Sequence, residues 1–334
     1  MTTAVLEGLG GRLPPVVVTN ADLAARLDTT DAWIRARTGI AERRRVEPGT
    51  ATRELAVEAG RLALKAAGGG DADAVVLATT TPDRPCPATA PEVAAMLGLT
   101  GAAAFDVAAV CSGFLYGLAT AAGLIAAGVA RRVLLIGAET YSAILDPADR
   151  STAVIFGDGA GAVVLRAGSP DEQGAVGGIV LGSDGDHCDL IAVPAGGARK
   201  RASTEPRDHF FQMAGQETYR HAVARMTAAA LDALERTGWA PADVDRFVAH
   251  QANARITDAV GRRLGVPPDR ALSNIERVGN TAAASIPLLL AESVLAGSLV
   301  PGDRTLLAAF GGGLTWGAAT LVWPDVTALM SGQR

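Results

Sequence analysis

Cys111, His250 and Asn280 are the residues of this 334-residue chain whose types and settings point to chemistry. Cys111 follows the strand-like run FDVAAV and opens a stretch rich in small residues. At a helix N-terminus, backbone N–H groups and the helix dipole favour the thiolate, the nucleophilic form, so its pKa is expected below the ordinary value of about 8.5. A lone buried cysteine is inert without partners. His250 ends the strand-like RFVAH just before Gln251-Ala-Asn253, a helix-start signature, and strand C-termini are where α/β sheets present functional groups. Asn280, between Gly279 and Thr281 in VGNTAAASIP, would alone be a turn or cap residue. Together, a thiolate and two neutral hydrogen-bond donors can hold an acyl thioester and then stabilise an enolate oxygen. Phe310-Gly311-Gly312-Gly313 follows a strand and could bring backbone N–H groups to an oxyanion; without a Gly-Lys-Ser/Thr ending it is no phosphate loop. His187, His209 and His221 show no metal-ligand spacing, so they are expected to be ordinary surface residues and no metal is expected.

These residues need elements to hold them, and the sequence alternates. β-type runs at 74–80, 105–110, 132–139, 161–166, 246–250, 305–310 and 317–323 are interleaved with helical periodicity at 52–67, 112–128, 215–237 and 252–264, which reads as α/β. Residues 62–78 (LALKAAGGGDADAVVLA) and 231–250 (LDALERTGWAPADVDRFVAH) each run helix, loop, Asp, strand. Each half also ends in a glycine turn feeding a strand, GDGAGAVVL (157–165) and GGGLTWGAATLVW (311–323). The echoes predict two pseudo-repeated α/β lobes, 1–168 with Cys111 and 169–334 with His250 and Asn280, packed as one body.

Composition narrows the class. Hydrophobic residues at 49% with charged residues at 19% exclude a disordered chain, and a net charge of −5 excludes the global basic field that collects nucleic acid. Aromatics at 4% leave the core to Ala, Val, Leu and Gly, which suits close layered packing. Three cysteines without a CxxC pair argue against a disulfide scaffold and a zinc site, and favour a reducing, cytoplasmic setting. No basic segment precedes an apolar stretch at the N-terminus, so no export is expected. The charge-free residues 107–130 approach the length of a membrane span, but an Ala/Gly-rich helix apolar on all sides is expected in the middle of a large core.

The motifs DAWIRARTGIAERR (31–44), DVAAVCSGF (106–114), DRSTAVIFGDGAGAVVL (149–165), HQANARI (250–256), GNTAAASIP (279–287) and AFGGGLTWG (309–317), in this order over nearly the whole length, resemble the 3-oxoacyl-ACP synthase III family of thiolase-like condensing enzymes. The resemblance implies a thiolase-like fold, a layered α-β-α-β-α body, and a homodimer. It implies Cys111 as acyl-accepting nucleophile, His250 and Asn280 as the pair supporting decarboxylation of a malonyl thioester, and Cys111 and Gly312 N–H groups as the oxyanion hole. Trp33 and Arg150 would sandwich the adenine of coenzyme A, with Arg37 on its phosphates. Met213 and Gly215 would line the pantetheine tunnel, where Gln216 replaces a more usual Asn. Gln251 and Arg255 would meet acyl carrier protein, Arg255 with Arg262 and Arg263 attracting that acidic partner. Phe310 would line the active site. Cys86 would close the acyl pocket across the dimer, its small side chain leaving room for a longer or branched primer. The implied reaction condenses acyl-CoA with malonyl-ACP and needs no cofactor. A degradative thiolase would want a second cysteine near AFGGG. A starter-unit priming ketosynthase of a polyketide pathway would use the same triad, an acyltransferase of such a pathway would be expected to alter Asn280, and a non-catalytic partner subunit would not need the intact set.

Overall fold

A computed structural model describes residues 2–332. The first sheet has six strands, ordered Ala328–Ser331, Thr3–Arg12, Gly159–Gly168, Arg132–Glu139, Ala74–Ala78, Ala103–Val107. The second has four, ordered Arg246–Ala249, Arg304–Gly311, Thr315–Val322, Gly177–Ser183. Helix Thr52–Ala66 covers the outer face of the first sheet. Helices Gly113–Ala126 and Ser285–Leu295 pack between the sheets, and Gly215–Thr237 with Ala254–Leu264 covers the second. This is the layered α-β-α-β-α body. The strands of the first sheet run to Gly168 and the second sheet opens at Gly177, but Ala328–Ser331 crosses back to pair in parallel with Thr3–Arg12. That last strand, the long N-terminal strand and the hairpin Val16–Thr19/Glu42–Arg45 had no counterpart among the expected strands.

The layering follows from the residue types. Strands Ala74–Ala78 and Arg132–Glu139 are almost wholly buried, as strands covered on both faces must be. The charge-free segment 107–130 becomes a helix of only 14 residues, Gly113–Ala126, enclosed by both sheets. Among the described residues no helix is long and apolar enough to cross a membrane. Caps set the helix ends: Asn253 accepts from the Arg255 N–H at the start of Ala254–Leu264, and Gly265 closes that helix in the left-handed conformation (φ 71°). The run read as strand to residue 110 ends at Val107, because the chain turns there into a 3-10 segment, Val110–Ser112.

Small residues let the layers close. A Cβ on Gly137 would lie 2.3 Å from the Ala283 carbonyl oxygen, so only glycine lets the first sheet touch the loop leading into the central helix Ser285–Leu295. Gly137→Ala is therefore expected to destabilise the protein by about 1–3 kcal/mol. By contrast, a Cβ on Gly123 in the helix Gly113–Ala126 would meet nothing within 4 Å, so Gly123→Ala is expected to stabilise by about 0.5–1 kcal/mol. Urea unfolding of the two variants checks the opposite signs.

Candidate active site

Only two non-glycine residues among the described ones have left-handed backbone, Val110 (φ 47°) and Ala282 (φ 44°). One immediately precedes Cys111 and the other follows Asn280 by two residues. Such conformations cost about 1–3 kcal/mol each and persist only where the surroundings enforce them. Here the enforcing contacts are the site itself. The turn Val110–Ser112 packs against Ala282–Ala284 and against the strand Arg304–Gly311. Gly311 comes so near that a Cβ on it would sit 2.7 Å from the Cys111 nitrogen. The hydroxyls of Ser112 and Thr315 lie 2.6 Å apart, and Thr315 also donates to the Gly312 carbonyl at 2.9 Å, which ties the glycine turn to the nucleophile's turn.

His250 continues the strand Arg246–Ala249, its N–H donating to the Ala308 carbonyl at 2.8 Å, two residues before Phe310-Gly311. Gln251 N–H then donates to Ser285 Oγ at 2.7 Å, joining the histidine's strand end to the helix that follows Asn280. The Asn280 backbone ties its loop to residues 155–157, donating to the Ile155 carbonyl and accepting from Gly157 N–H, both at 2.9 Å. Its Oδ1 accepts from Ala282 N–H at 2.9 Å, so Nδ2 is the end of the amide left to donate. Neither ring nitrogen of His250 has a hydrogen-bond partner among the described residues. Burial holds this histidine neutral, its pKa pushed down to about 3.

Cys111 departs from expectation. It is buried, at the bottom of a cluster with Tyr141, Phe156 and Ala282, and burial pushes its thiol up rather than down, helped by the nearby Glu139 carboxyl. The 3-10 turn that carries it leads straight into the helix Gly113–Ala126, and desolvation outweighs the favourable helix N-terminus. Two residues that the sequence reading passed over also sit here. Glu139 ends the apolar strand Arg132–Glu139, fully buried. Its oxygens accept from Thr80 N–H at 3.1 and 3.0 Å, from Thr81 Oγ at 2.9 Å and from Ala283 N–H at 3.5 Å. Desolvation raises its pKa to about 7 against these donors. The signal was available, since a carboxylate ending a buried apolar strand needs a reason. Tyr141 stacks on Phe156 at 4.4 Å, and its hydroxyl is without a partner among the described residues.

A cavity of about 600 Å³ opens beside the nucleophile, with Val110 and Gly312 in its wall together with Thr80, Pro85 and Ile191. Phe310 does not line it; it is buried in the cluster outside the second sheet, against which Ile191 packs. Cys86 is exposed, on the loop that carries the cavity residues Arg84 and Pro85, and is not itself in its own chain's cavity wall. Met213 pairs with the cavity-wall residue Ile191 in a two-residue antiparallel ladder, and Gly215 starts the helix that follows. At a separate surface, Arg37 and Arg150 both approach the ring of Trp33, at 4.8 and 5.2 Å from its centroid, with Arg150 also donating to the Asp28 carbonyl. Asn253 Nδ2 donates to the Arg37 carbonyl at 2.9 Å, anchoring this group to the helix that carries Arg255. Arg255 lies over Tyr219, and Tyr219, Arg220, Arg262 and Arg263 line a shallow basic depression of about 420 Å³. Gln251 is 1% exposed, its amide donating to the Ala249 carbonyl and accepting from Ser273 Oγ, so it cannot meet a protein partner and that expectation is corrected. His187 and His221 are not isolated surface residues either: their rings lie 4.6 Å apart.

Comparison with known proteins gives matches along the chain. Residues 105–185 match the model of 3-oxoacyl-[acyl-carrier-protein] synthase III, and residues 234–323 match that family's C-terminal model. The beta-ketoacyl-[acyl-carrier-protein] synthase III 5 of Streptomyces coelicolor is 61% identical, covering 97% of this chain and 98% of that one. The crystal structure of 3-oxoacyl-(acyl carrier protein) synthase III from Pseudomonas aeruginosa PAO1 superposes with a TM-score of 0.92 at 49% identity, covering 97% of this chain and 99% of that one. The priming beta-ketosynthase of the R1128 polyketide biosynthetic pathway superposes with a TM-score of 0.90 at 35% identity, covering 97% of both.

The buried groups give stability a pH signature. Folding keeps His250 neutral, so its contribution is present above its ordinary pKa of 6.5 and is lost as pH falls toward 3. Glu139 works oppositely: its contribution is present below 4.5 and is lost as pH rises through 7, a cost on the order of 3 kcal/mol above that. Glu139→Gln is expected to raise the melting temperature relative to the parent more at pH 8 than at pH 5, and His250→Gln more at pH 5 than at pH 8.

Proposed function

The chain belongs to the 3-oxoacyl-[acyl-carrier-protein] synthase III family, and from that premise we propose that it condenses an acyl-CoA primer with malonyl-ACP to give 3-oxoacyl-ACP, CoA and CO2. Cys111 is the nucleophile. Its S–H proton passes to the leaving CoA sulfur, with neutral His250 as the base at hand, leaving an acyl thioester on Cys111 and free CoA. Malonyl-ACP then loses CO2, and His250 N–H and Asn280 Nδ2 donate to the enolate oxygen. The carbanion attacks the Cys111 thioester carbonyl, whose oxyanion faces the N–H groups of Cys111 and Gly312. That attack forms the carbon–carbon bond; collapse of the tetrahedral intermediate then breaks the bond to the Cys111 sulfur, which departs and takes up one proton. Loss of CO2 supplies the driving force, so the chemistry asks for no further cofactor.

One observation carries this reading. His250 is buried, neutral and unpartnered at both ring nitrogens among the described residues, on a strand end bonded to Arg304–Gly311, while Asn280 has its oxygen occupied and its nitrogen left to donate; that strand and the segment Ala282–Ala284 after Asn280 both pack against the Cys111 turn. Neutral donors suit an anionic enolate without holding the malonyl carboxylate as a cationic site would. We assign the lobes as 1–168, carrying Cys111, and 169–334, carrying His250 and Asn280. Trp33, Arg37 and Arg150 would take the nucleotide end of CoA, the base entering where Arg150 now lies against the indole. Met213 and Gly215 would flank pantetheine, and the 600 Å³ cavity would receive the acyl chain, with the Cys86 loop of a second copy at its open end in a homodimer. Acyl-CoA and acyl carrier protein as substrates, together with three unpaired cysteines, support a cytoplasmic setting. The likeness to a priming ketosynthase favours a second reading, in which the product starts a polyketide chain.

Intact-protein mass spectrometry after incubation with a panel of acyl-CoAs tests the proposal. An adduct is expected on the parent and absent in Cys111→Ala, discharged by malonyl-ACP as 3-oxoacyl-ACP. Asn280→Ala is expected to acylate at near-parent rates while condensation falls about 10²–10³-fold. An adduct that malonyl-ACP never discharges would favour acyl transfer to another acceptor, and the preferred primer would separate fatty-acid from polyketide use. At the basic depression, Arg255→Glu is expected to raise KM for malonyl-ACP and flatten its salt dependence, leaving Cys111 acylation by acyl-CoA unchanged.

A further inference from the structure

Outside the condensing site, two imidazoles and a carboxylate converge. Glu217 and His221 stand four residues apart on the helix Gly215–Thr237 and so share one face. The 3-10 segment Gly185–Leu190 lays His187 over them, and one donor atom from each of His187, Glu217 and His221 lies within 4.8 Å of the other two. His187 Nδ1 is 3.1 Å from Asp184 Oδ2, which in turn pairs with Arg225 at 3.2 Å. A carboxylate on Nδ1 fixes the ring's tautomer and orientation and leaves Nε2 with its lone pair outward, the arrangement that accompanies metal-ligating histidines.

We propose that His187, Glu217 and His221 form a site for a borderline divalent cation of the zinc class, with Asp184 orienting His187 from behind. The donor set selects the ion. Two neutral imidazoles and one carboxylate suit Zn²⁺, Co²⁺ or Ni²⁺, whereas Mg²⁺ and Ca²⁺ want oxygen alone. Three protein donors leave a fourth tetrahedral position for water. At Zn–N and Zn–O bonds near 2.1 Å, donors must stand roughly 3.4 Å apart, so the side chains close by about an ångström, within the reach of surface rotamers. The site has a mechanical consequence. The segment bearing His187 continues through Cys188 to Ile191, both in the wall of the cavity beside Gly312, and a cation would tie that wall to the helix Gly215–Thr237.

Metal-depleted full-length protein titrated with Zn²⁺ in a calorimeter tests this, with Co²⁺ absorption reporting the coordination geometry. One saturable equivalent per chain, a tetrahedral Co²⁺ spectrum and a zinc-dependent rise in melting temperature are expected. His221→Ala and Glu217→Ala should each weaken binding about 10–100-fold while leaving the metal-free melting temperature unchanged. Cys188→Ser should bind as the parent does. Absence of saturable Zn²⁺ binding, undiminished binding in a His187→Ala/His221→Ala double variant, or loss of binding in Cys188→Ser would each overturn the proposal. None of these readouts depends on the condensing activity, so the site and the proposed reaction fail separately.

Discussion

Desolvation at the junction of the two sheets is the constraint on which the rest of the structure turns. Cys111, His250 and Glu139 are all buried there. Each is pushed toward its neutral form, the thiol up, the imidazole down to about 3 and the carboxyl up to about 7. A junction that held a thiolate and an imidazolium in its resting state would have to solvate two charges in a region built from Ala, Leu and Val side chains. Neutral groups avoid that cost, and they leave the dipoles of Asn280, His250 and the glycine turn to answer charge only where it develops. The burial that makes Cys111 a poor free thiolate is thus the condition for strong electrostatic stabilisation once an acyl group arrives.

Holding such a junction closed requires backbones, not side chains, to meet. Gly137 against Ala283 and Gly311 against Cys111 are contacts a single methyl group would break. The left-handed Val110 and Ala282 are the local cost of this closeness. It is offset by bonds that tie segments distant in sequence: Asn280 with Ile155 and Gly157, Gln251 with Ser285, and Glu139 with Ala283. Glu139 gathers the end of the strand Ala74–Ala78, its own strand and the Asn280 loop onto one carboxyl, so a buried carboxyl that resists ionisation also fixes the loop that carries the amide donor.

Much of this was legible in the sequence. Each of the seven expected strands and four expected helices corresponds to an observed element, because uninterrupted apolar runs and 3.6-residue periodicity are local properties. The positions of Cys111, His250 and Asn280 at element ends were equally local. What escaped was non-local. Ala328–Ser331 is a strand only because Thr3–Arg12 offers it an edge, and Gln251 is buried only because Ser273, Ala249 and Ser285 surround it. The direction of the Cys111 shift was misread for the same reason. A helix-start pattern announces a dipole, but the depth of burial that outweighs it belongs to the assembled layers.

Charge is distributed with the same economy. The chain carries net negative charge, yet Arg220, Arg255, Arg262 and Arg263 gather at one depression, and Arg37 and Arg150 gather on Trp33. Asn253 joins these two basic surfaces, capping the helix that carries Arg255 with its oxygen while its nitrogen holds the Arg37 carbonyl. Because the cations stand at the surface and the buried junction is kept neutral, their field can attract anionic partners without charging the nucleophile. Recognition and bond formation are therefore separated in space by dielectric: long-range attraction acts where water screens it, and hydrogen-bond dipoles act where water is excluded.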